Sequence, residues 1–377
     1  MGGHPPRERR RGVLAAHQPA LPERAAQALP GLAHPPAGSQ EPIRRDRPGN
    51  DGKDGRGGTT RMKFAFCNEM FRDVPLRRIF STAAEIGYDG VEIAPFTVAR
   101  SVNEVGQDAR KAIRDDAAEY GLEITGLHWL LLSPEGLYLN HPDDGIRYCT
   151  RLYLCDLIRF CGDIGGRVMV AGSPKQRNVL PEQTYEATWD RTRQAYLECL
   201  PTAEEYGVTI CLEPLDAAQT NFINTPAEAA RMVREIDHPN FRLIIDVRAT
   251  LCQGLDVAAA IHEHRDITAY IHFNDASGNG PGFGDTDFVP ILRALRETGY
   301  DGYGSVEVFD YSYGAEHIAR KSLETLKAAW SAAGATGDGT PSAAREGAAG
   351  TAQDAADAPR EGAAETAPDS AEGRAAG

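Results

Sequence analysis

The sequence predicts a (β/α)₈ barrel, an α/β fold in which eight parallel strands close into a ring surrounded by helices. Short runs of β-branched and apolar residues alternate with longer amphipathic stretches, and this unit recurs eight times over about 270 residues. Glycine closes several of the amphipathic stretches just before the next run. Eight such units match a closed barrel better than an open doubly wound sheet.

The predicted strands are short and rich in Val, Ile, Phe and Leu. In chain order they read KFAFC, GVEIA, EITGLHWLL, RVMVAG, VTICLEP, RLIIDV, AYIHF and GSVEVF. The helical periodicity of apolar residues predicts helices over Leu76–Ile86, Ala109–Tyr120, Ile146–Ile164, Tyr185–Tyr206, Ala227–Ile236, Val257–His264, Phe288–Thr298 and Ala315–Trp330. Gly87, Gly121, Gly207 and Gly299 are predicted to end helices, because glycine adopts a left-handed backbone easily.

The turn after the first predicted strand argues against an open nucleotide-binding sheet. Such a sheet carries a glycine-rich phosphate turn there, whereas this chain has CNEMFRDVP. The glycines of Gly278–Gly284 lack the strand and helix context of a nucleotide motif.

The two ends of the chain have the composition of disordered segments. Residues 1–61 are rich in Pro, Gly and Arg, and residues 332–377 repeat Ala, Gly and acidic residues. We expect disordered extensions there and a barrel over residues 62–331. The abrupt strand at Met62 makes that methionine a candidate biological start, and no uninterrupted apolar signal core precedes it.

Composition excludes several partners. The formal charge is −14 and the isoelectric point about 5.2, so the surface should repel nucleic acid. No apolar stretch approaches the roughly 20 residues of a membrane span, which predicts a soluble protein. The seven cysteines are odd in number and lack zinc-finger spacing, so we expect reduced thiols in the cytoplasm.

Four side chains able to bind metal follow the last four predicted strands. They are Glu213, Asp246, His272 and Glu307. Taken alone, each residue is better explained as a helix cap or as a hydrogen-bonded polar group of the core. Four consecutive strands with a ligand at the downstream end favour one shared site, since those ends meet on one face of a barrel. Oxygen ligands with one imidazole suit Mn²⁺, with Mg²⁺ or Co²⁺ as alternatives.

Several segments carry a resemblance to a known family. They are GYDGVEI, AGSPKQR, LEPLDAAQTNFINT, IIDVRAT, IHFNDASGNGPGFGDTDF and SVEVFDY. From Met62 to Trp330 the chain resembles the xylose isomerase-like barrels called sugar phosphate isomerases/epimerases, which include the tagatose/psicose-type ketose 3-epimerases. The resemblance implies that Glu213, Asp246, His272 and Glu307 bind one divalent ion.

The implied reaction is proton transfer beside a carbonyl through a metal-stabilised enediolate. With Glu213 and Glu307 as catalytic acid and base on opposite faces of the carbon, the result is epimerisation; transfer between carbons gives isomerisation. A lyase or dehydratase acting on a keto-sugar or keto-inositol would use the same site. A non-catalytic sugar-binding barrel is a lesser alternative, and a zinc-cluster phosphodiesterase would need more imidazole ligands.

Five further residues are candidates for contact with a carbohydrate substrate. Glu92 and His128 end predicted strands, so both should face the barrel mouth. Lys175 and Arg177 could bind a phosphate or carboxylate, and Trp129 could stack on a sugar face. Each also has a structural reading, as a buried polar group, a solvated loop or a plug of the barrel.

Three positions depart from the ketose 3-epimerase pattern. The resemblance implies a Glu, a His and an Arg for substrate hydroxyls where this chain has Gln219, Ala249 and Gly278/Asn279. The metal chemistry is therefore predicted, while the substrate stays open. Barrels of this kind often pair through their helices, so a homo-oligomer stays open, but no single stripe of this sequence is apolar enough to identify an interface.

Overall fold

The computed structural model describes residues 62–335. The expected disorder of residues 1–61 and of residues 336–377 lies outside the described residues. The last helix continues to Gly334, so residues 332–334, which the sequence assigned to the tail, are helical.

Eight parallel strands form a closed barrel in sequence order, with the last strand pairing with the first. The predicted fold class is confirmed. The strands are β1 (Lys63–Cys67), β2 (Gly90–Ile93), β3 (Glu123–Leu127), β4 (Val168–Ala171), β5 (Thr209–Leu212), β6 (Phe241–Asp246), β7 (Thr268–Phe273) and β8 (Tyr303–Val306).

Helices surround the barrel between these strands. Over residues 62–335 they are α1 (Leu76–Ile86), α2 (Gln107–Glu119), α3 (Asp144–Asp163), α4 (Tyr185–Tyr206), α5 (Pro226–Ile236), α6 (Val247–Cys252), α7 (Val257–Glu263), α8 (Phe288–Glu297) and α9 (Ala315–Gly334). All eight predicted helices are present with small shifts at their ends. The short helix α6 was not predicted.

Local sequence signals explain where helices begin and end. Thr225 and Glu228 form a capping box at the start of α5, with Pro226 at the first helical position. Gly87 and Gly207 end α1 and α4 with φ of 95° and 62°, where a residue with a Cβ would be strained. These signals fix the short connections that return the chain to the barrel.

The third strand is shorter than predicted. β3 ends at Leu127, whereas the apolar run continues to Leu131. Trp129 has φ of 52°, which is incompatible with an extended strand. The residues after Leu127 therefore form part of the loops at the barrel mouth.

Alternation along the strands divides the core into two layers. One cluster outside the strands packs against the helices, and a small cluster of Val170, Cys211, Ile244 and Tyr270 fills the barrel interior. Because side chains alternate with period two, the inward residues one step further along β6 and β7 are Asp246 and His272, which are directly paired in register. The interior cluster thus forms the floor of the mouth.

None of the helices within residues 62–335 combines the length and apolar character that crossing a membrane requires.

Candidate active site

The four predicted ligands lie together at the carboxyl ends of β5 to β8. Glu213 follows β5, Asp246 ends β6, His272 is in β7, and Glu307 follows β8. One ligand atom from each lies within 4.8 Å of those of the others. All four are at most 6% exposed. The structure therefore brings these residues into one buried cluster.

Three carboxylates approach a single nitrogen of His272. Its Nδ1 is 3.2 Å from Glu213 Oε1, 3.2 Å from Glu307 Oε2 and 3.9 Å from Asp246 Oδ2. Yet His272 Nδ1 and Glu213 Oε1 are both buried without a hydrogen bond among the described residues. Buried atoms of this kind are costly unless something else binds them.

The crowding of negative charge perturbs the carboxyl groups. Burial, followed by repulsion from Glu213 and Glu307, raises the pKa of Asp246 to about 7. Burial also raises the pKa of Glu307, against the attraction of His272. A cation held between these oxygens would favour their ionised forms.

Neighbouring groups orient Asp246. Its Oδ1 accepts a hydrogen bond from Ala249 N at 2.6 Å, and its Oδ2 accepts one from Asn274 Nδ2 at 2.8 Å. Asn274 in turn accepts from Arg248 N at 2.8 Å. Asp246 therefore caps α6 and presents a fixed carboxylate to the cluster. Sequence reasoning missed Asn274, although its position two residues after His272 was a signal.

The other nitrogen of His272 faces Glu92. His272 Nε2 is 3.2 Å from Glu92 Oε2, which also accepts a hydrogen bond from Tyr270 Oη at 3.1 Å. Burial alone would raise the pKa of Glu92, but attraction by His272 and His128 lowers it to about 2. The structure places Glu92 beneath the imidazole, and not among the residues that line the cavity. Such a carboxylate fixes the orientation of a metal-binding histidine.

A narrow central cavity lies above the cluster. It is lined by His128, Trp129, Gly172, Ser173, Pro174, Glu213, Leu215, Gln219, Asp246, Arg248, Glu307 and Phe309. His128 and Trp129 are thus at the mouth, as expected. His128 Nε2 is 2.8 Å from Glu69 Oε2, and both side chains are buried. Glu69 had no sequence signal, since it lies in a 3₁₀ turn after β1.

The two cationic candidates after β4 do not line this cavity. Lys175 is exposed, and Arg177 is buried behind Glu213. The Arg177 guanidinium donates to Glu213 O at 2.7 Å, and at longer range to the carbonyls of Ala171 and Ile223. Its contacts tie the ends of β4 and β5 together.

A different arginine reaches the cavity. Arg248 Nη1 donates to Asp216 Oδ2 at 2.7 Å, and its guanidinium lies 5.2 Å from the ring centre of Phe309. Arg248 therefore presents a guanidinium at the mouth whose positive charge is balanced by the Asp216 carboxylate. Its place two residues after Asp246, in IIDVRAT, was the missed signal.

Gly172 leaves the space that Glu213 occupies. A Cβ at this position would overlap the Glu213 carboxylate at Oε2. Any larger residue at the end of β4 would therefore displace Glu213 from the cluster.

The donor set fits a divalent cation. Three carboxylates and one imidazole are ligands for Mn²⁺, Mg²⁺, Co²⁺ or Zn²⁺. The unpartnered Nδ1 of His272 and Oε1 of Glu213 both lie inside the cluster. Two of the four candidate ligands thus carry a buried atom for which an ion would be the missing partner.

Comparisons with known proteins agree with the barrel fold. The family described as "Xylose isomerase-like TIM barrel" matches residues 80–329. The 3-dehydro-D-guloside 4-epimerase of Escherichia coli (strain K12) is 27% identical over 280 residues, covering 71% of this chain and 98% of that protein. The D-psicose 3-epimerase of Ruminiclostridium cellulolyticum is 25% identical over 235 residues, covering 60% of this chain and 75% of that protein.

A solved structure has the same fold. The D-psicose 3-epimerase with D-tagatose from Clostridium cellulolyticum H10 superposes with a TM-score of 0.65 and 20% identity, covering 71% of this chain and 99% of that one.

Proposed function

Because the chain belongs to the xylose isomerase-like TIM barrel family, we propose that it is a metal-dependent sugar epimerase in which Glu213 and Glu307 move a proton beside a substrate carbonyl. The observation that carries this proposal is the buried cluster of Glu213, Asp246, His272 and Glu307. Its matched relatives include epimerases that act on keto-sugars and a keto-glycoside, to judge by their names.

The four cluster residues would hold one divalent ion, Mn²⁺ in the first place and Mg²⁺ or Co²⁺ as alternatives. When bound, such an ion polarises a carbonyl oxygen and makes the neighbouring C–H more acidic. Glu92 keeps the His272 ring in position through its contact at 3.2 Å with Nε2.

The proposal assigns Glu213 and Glu307 to opposite faces of one carbon. They belong to the ends of β5 and β8, and β6 and β7 lie between those strands in the ring. If Glu213 removes the proton from one face and Glu307 returns one to the other, the carbon is inverted. Transfer between neighbouring carbons by the same groups would give isomerisation.

The surrounding residues serve to hold the reacting groups and the substrate. Arg177 fixes the main chain at Glu213 through its hydrogen bond of 2.7 Å, and Gly172 leaves room for that side chain. His128 and Trp129 line the cavity, where they would contact the sugar. Arg248 and Gln219 also line it, and Gln219 stands where the resemblance to ketose 3-epimerases implies a glutamate for a substrate hydroxyl.

The test is proton exchange with solvent. The Mn²⁺-loaded protein is incubated in D₂O with a panel of ketoses, keto-inositols and 3-keto-D-glucosides, and products are followed by NMR. We expect deuterium at the inverted carbon and an epimeric product. Glu307→Gln should lose activity by about 10²–10⁴-fold, whereas the exposed Glu324→Gln on α9 should not.

Two results would contradict the proposal. A product that has lost water or an aglycone would identify a lyase or dehydratase on this site. Unchanged turnover in Glu307→Gln would remove the assigned acid and base.

A further inference from the structure

Helices α3 and α4 pack closely against each other on the outside of the barrel. Arg151 of α3 forms an ion pair with Glu198 of α4, and Cys199 Sγ lies 3.9 Å from Arg151 O. Further along, a Cβ added at Gly162 of α3 would lie only 2.9 Å from Cδ1 of Tyr206 on α4. These contacts show that the two helices run in the same direction and that Gly162 allows their close approach.

Two thiols meet in this helix contact. Cys155 lies one turn after Arg151 on α3, and it meets Cys199 and Thr202, which share a face of α4 because they are three residues apart. The Cys155 sulfur is in hydrogen-bond contact with both of these side chains. Both cysteines are free thiols; Cys199 is fully buried, whereas Cys155 is partly exposed. The two sulfurs are therefore neighbours, and one of them can be reached from solvent.

The surroundings make the two thiols chemically unequal. The hydrogen bond from Cys199 lowers the pKa of Cys155 against the effect of burial, and Thr202 and Arg159 lower it further. The same hydrogen bond, together with burial, raises the pKa of Cys199. Because the thiolate is the nucleophilic form, Cys155 is the reactive member of the pair and Cys199 is the proton donor beside it.

Other cysteines of the barrel lack this arrangement. Cys67 and Cys211 are fully buried, and burial raises the pKa of both thiols. A buried thiol that stays protonated reacts slowly with oxidants. Cys252 is exposed, and its Sγ lies 3.9 Å from the carbonyl oxygen of Ala276. The contact between α3 and α4 is therefore the place where oxidation should be selective.

We propose that Cys155 and Cys199 form a modification site for peroxides, at which oxidation closes a disulfide between α3 and α4. The Cys155 thiolate attacks one oxygen of hydrogen peroxide, the O–O bond breaks, and hydroxide leaves and takes up the proton that the thiol had lost. The product is a sulfenic acid.

The Cys199 sulfur then attacks the Cys155 sulfur. The S–O bond breaks, and the proton of the Cys199 thiol leaves with the hydroxyl group as water. Two thiols and one peroxide thus give one disulfide and two molecules of water, with the sulfurs oxidised and the peroxide reduced. The inference is independent of the proposed epimerase function.

The experiment uses the full chain with Cys252→Ser, which removes the exposed thiol. The reduced protein is treated with a small molar excess of hydrogen peroxide, the remaining thiols are alkylated, and peptides are mapped by mass spectrometry without reduction. We expect the peptides of Cys155 and Cys199 to be joined, with the loss of two hydrogen atoms, and dithiothreitol to separate them. Cys149→Ser in the same background is the matched control, because Cys149 is a buried cysteine of α3; it should form the same link.

Two further variants in this background test the order of the steps. In Cys199→Ser the sulfenic acid of Cys155 lacks the thiol with which it would condense, so dimedone should trap it. In Cys155→Ser, Cys199 should stay a thiol that iodoacetamide labels after unfolding. Far-UV circular dichroism checks that both variants are folded.

A disulfide between any other pair, or oxidation of Cys155 to a sulfinic acid without a link to Cys199, would overturn the assignment. Recovery of both thiols in the reduced form after peroxide treatment of the folded protein would overturn it as well.

Discussion

Ionisable side chains are arranged in opposite ways in the two halves of the barrel mouth. In the half formed by β5 to β8, three carboxylates converge on one nitrogen of His272, and two of the atoms involved have no hydrogen bond among the described residues. In the half formed by β1 to β4, Glu69 bonds to His128 and Arg177 donates to main-chain carbonyls, although Glu69 Oε1, His128 Nδ1 and Arg177 Nε also have no hydrogen bond among the described residues. The halves therefore differ in charge: one is crowded with carboxylates, and in the other each of these charged groups has an opposite charge or a carbonyl beside it.

This difference in charge suggests different roles: the clustered carboxylates of β5 to β8 serve binding and chemistry, and the paired groups of β1 to β4 serve the structure. Uncompensated charge in a buried site lowers the stability of the metal-free protein, so a binding role is its simplest explanation. Paired groups hold their neighbours in position. Removing one partner leaves the other buried without a hydrogen bond, which lowers the stability of the fold. The two halves should therefore respond in opposite ways to substitution.

The largest contrast is expected at Asp246. Asp246→Asn should lower Mn²⁺ affinity at least about 100-fold, because it removes a ligand. It should not lower the free energy of unfolding of the metal-free protein, since it also removes a buried, repelled charge. Metal content by mass spectrometry and denaturant unfolding measure the two effects.

Asp216→Asn is the matched control for that experiment, because Asp216 lies at the same mouth but pairs with Arg248. It should keep wild-type Mn²⁺ affinity. If Asp246→Asn bound Mn²⁺ as tightly as the wild type, the assignment of the crowded half to metal binding would be wrong.

A methyl group at Gly172 should disrupt the crowded half although no ligand residue is replaced. Gly172→Ala places a Cβ against Glu213 Oε2, and a displacement near 1 Å of a reacting group costs about 100-fold in kcat. Gly106→Ala, where a Cβ meets nothing within 4 Å, is the control. Comparable kinetics in the two variants would show that the position of Glu213 does not matter.

Truncation in the paired half should affect stability. Glu69→Ala leaves His128 Nε2 buried without its partner at 2.8 Å, which should cost about 1–3 kcal/mol of unfolding free energy. Glu69→Gln keeps an acceptor and should lose less. Urea unfolding of the metal-free proteins measures both, and a Glu69→Ala variant as stable as the wild type would contradict the structural role.

The last contrast is a pH dependence of the crowded half. The folded-state pKa of Asp246 is raised from 3.8 to about 7, so its protonated form stabilises the metal-free protein at low pH. That stabilisation is lost as the pH rises between the two pKa values, 3.8 and about 7. Thermal unfolding should therefore show the wild type losing stability relative to Asp246→Asn across the window, and parallel curves would oppose the raised pKa.

Sequence reasoning recovered the crowded half better than the paired half for a physical reason. Glu213, Asp246, His272 and Glu307 end strands, and strand ends of a parallel barrel must meet. The partners of the other half depend on loops whose paths leave no periodic signal. Glu69 lies in a 3₁₀ turn, and Trp129 turns the chain out of β3 at φ 52°.

Periodic patterns were also insufficient at the end of β6 and for Arg177. The periodic pattern predicted eight strands and eight helices, but α6 was missed because Asp246 ends a strand and caps a helix at once. Arg177 was expected to contact substrate because it is cationic and follows the fourth strand. Its buried contacts with carbonyls could not be read from spacing.

The most direct test is a crystal structure of the Mn²⁺-soaked protein with anomalous scattering measured at the manganese edge. One peak, within bonding distance of Glu213, Asp246, His272 and Glu307, is the predicted result. A peak elsewhere, for example at the buried group of Cys67, Glu69 and His128, with none among those four residues, would contradict the account.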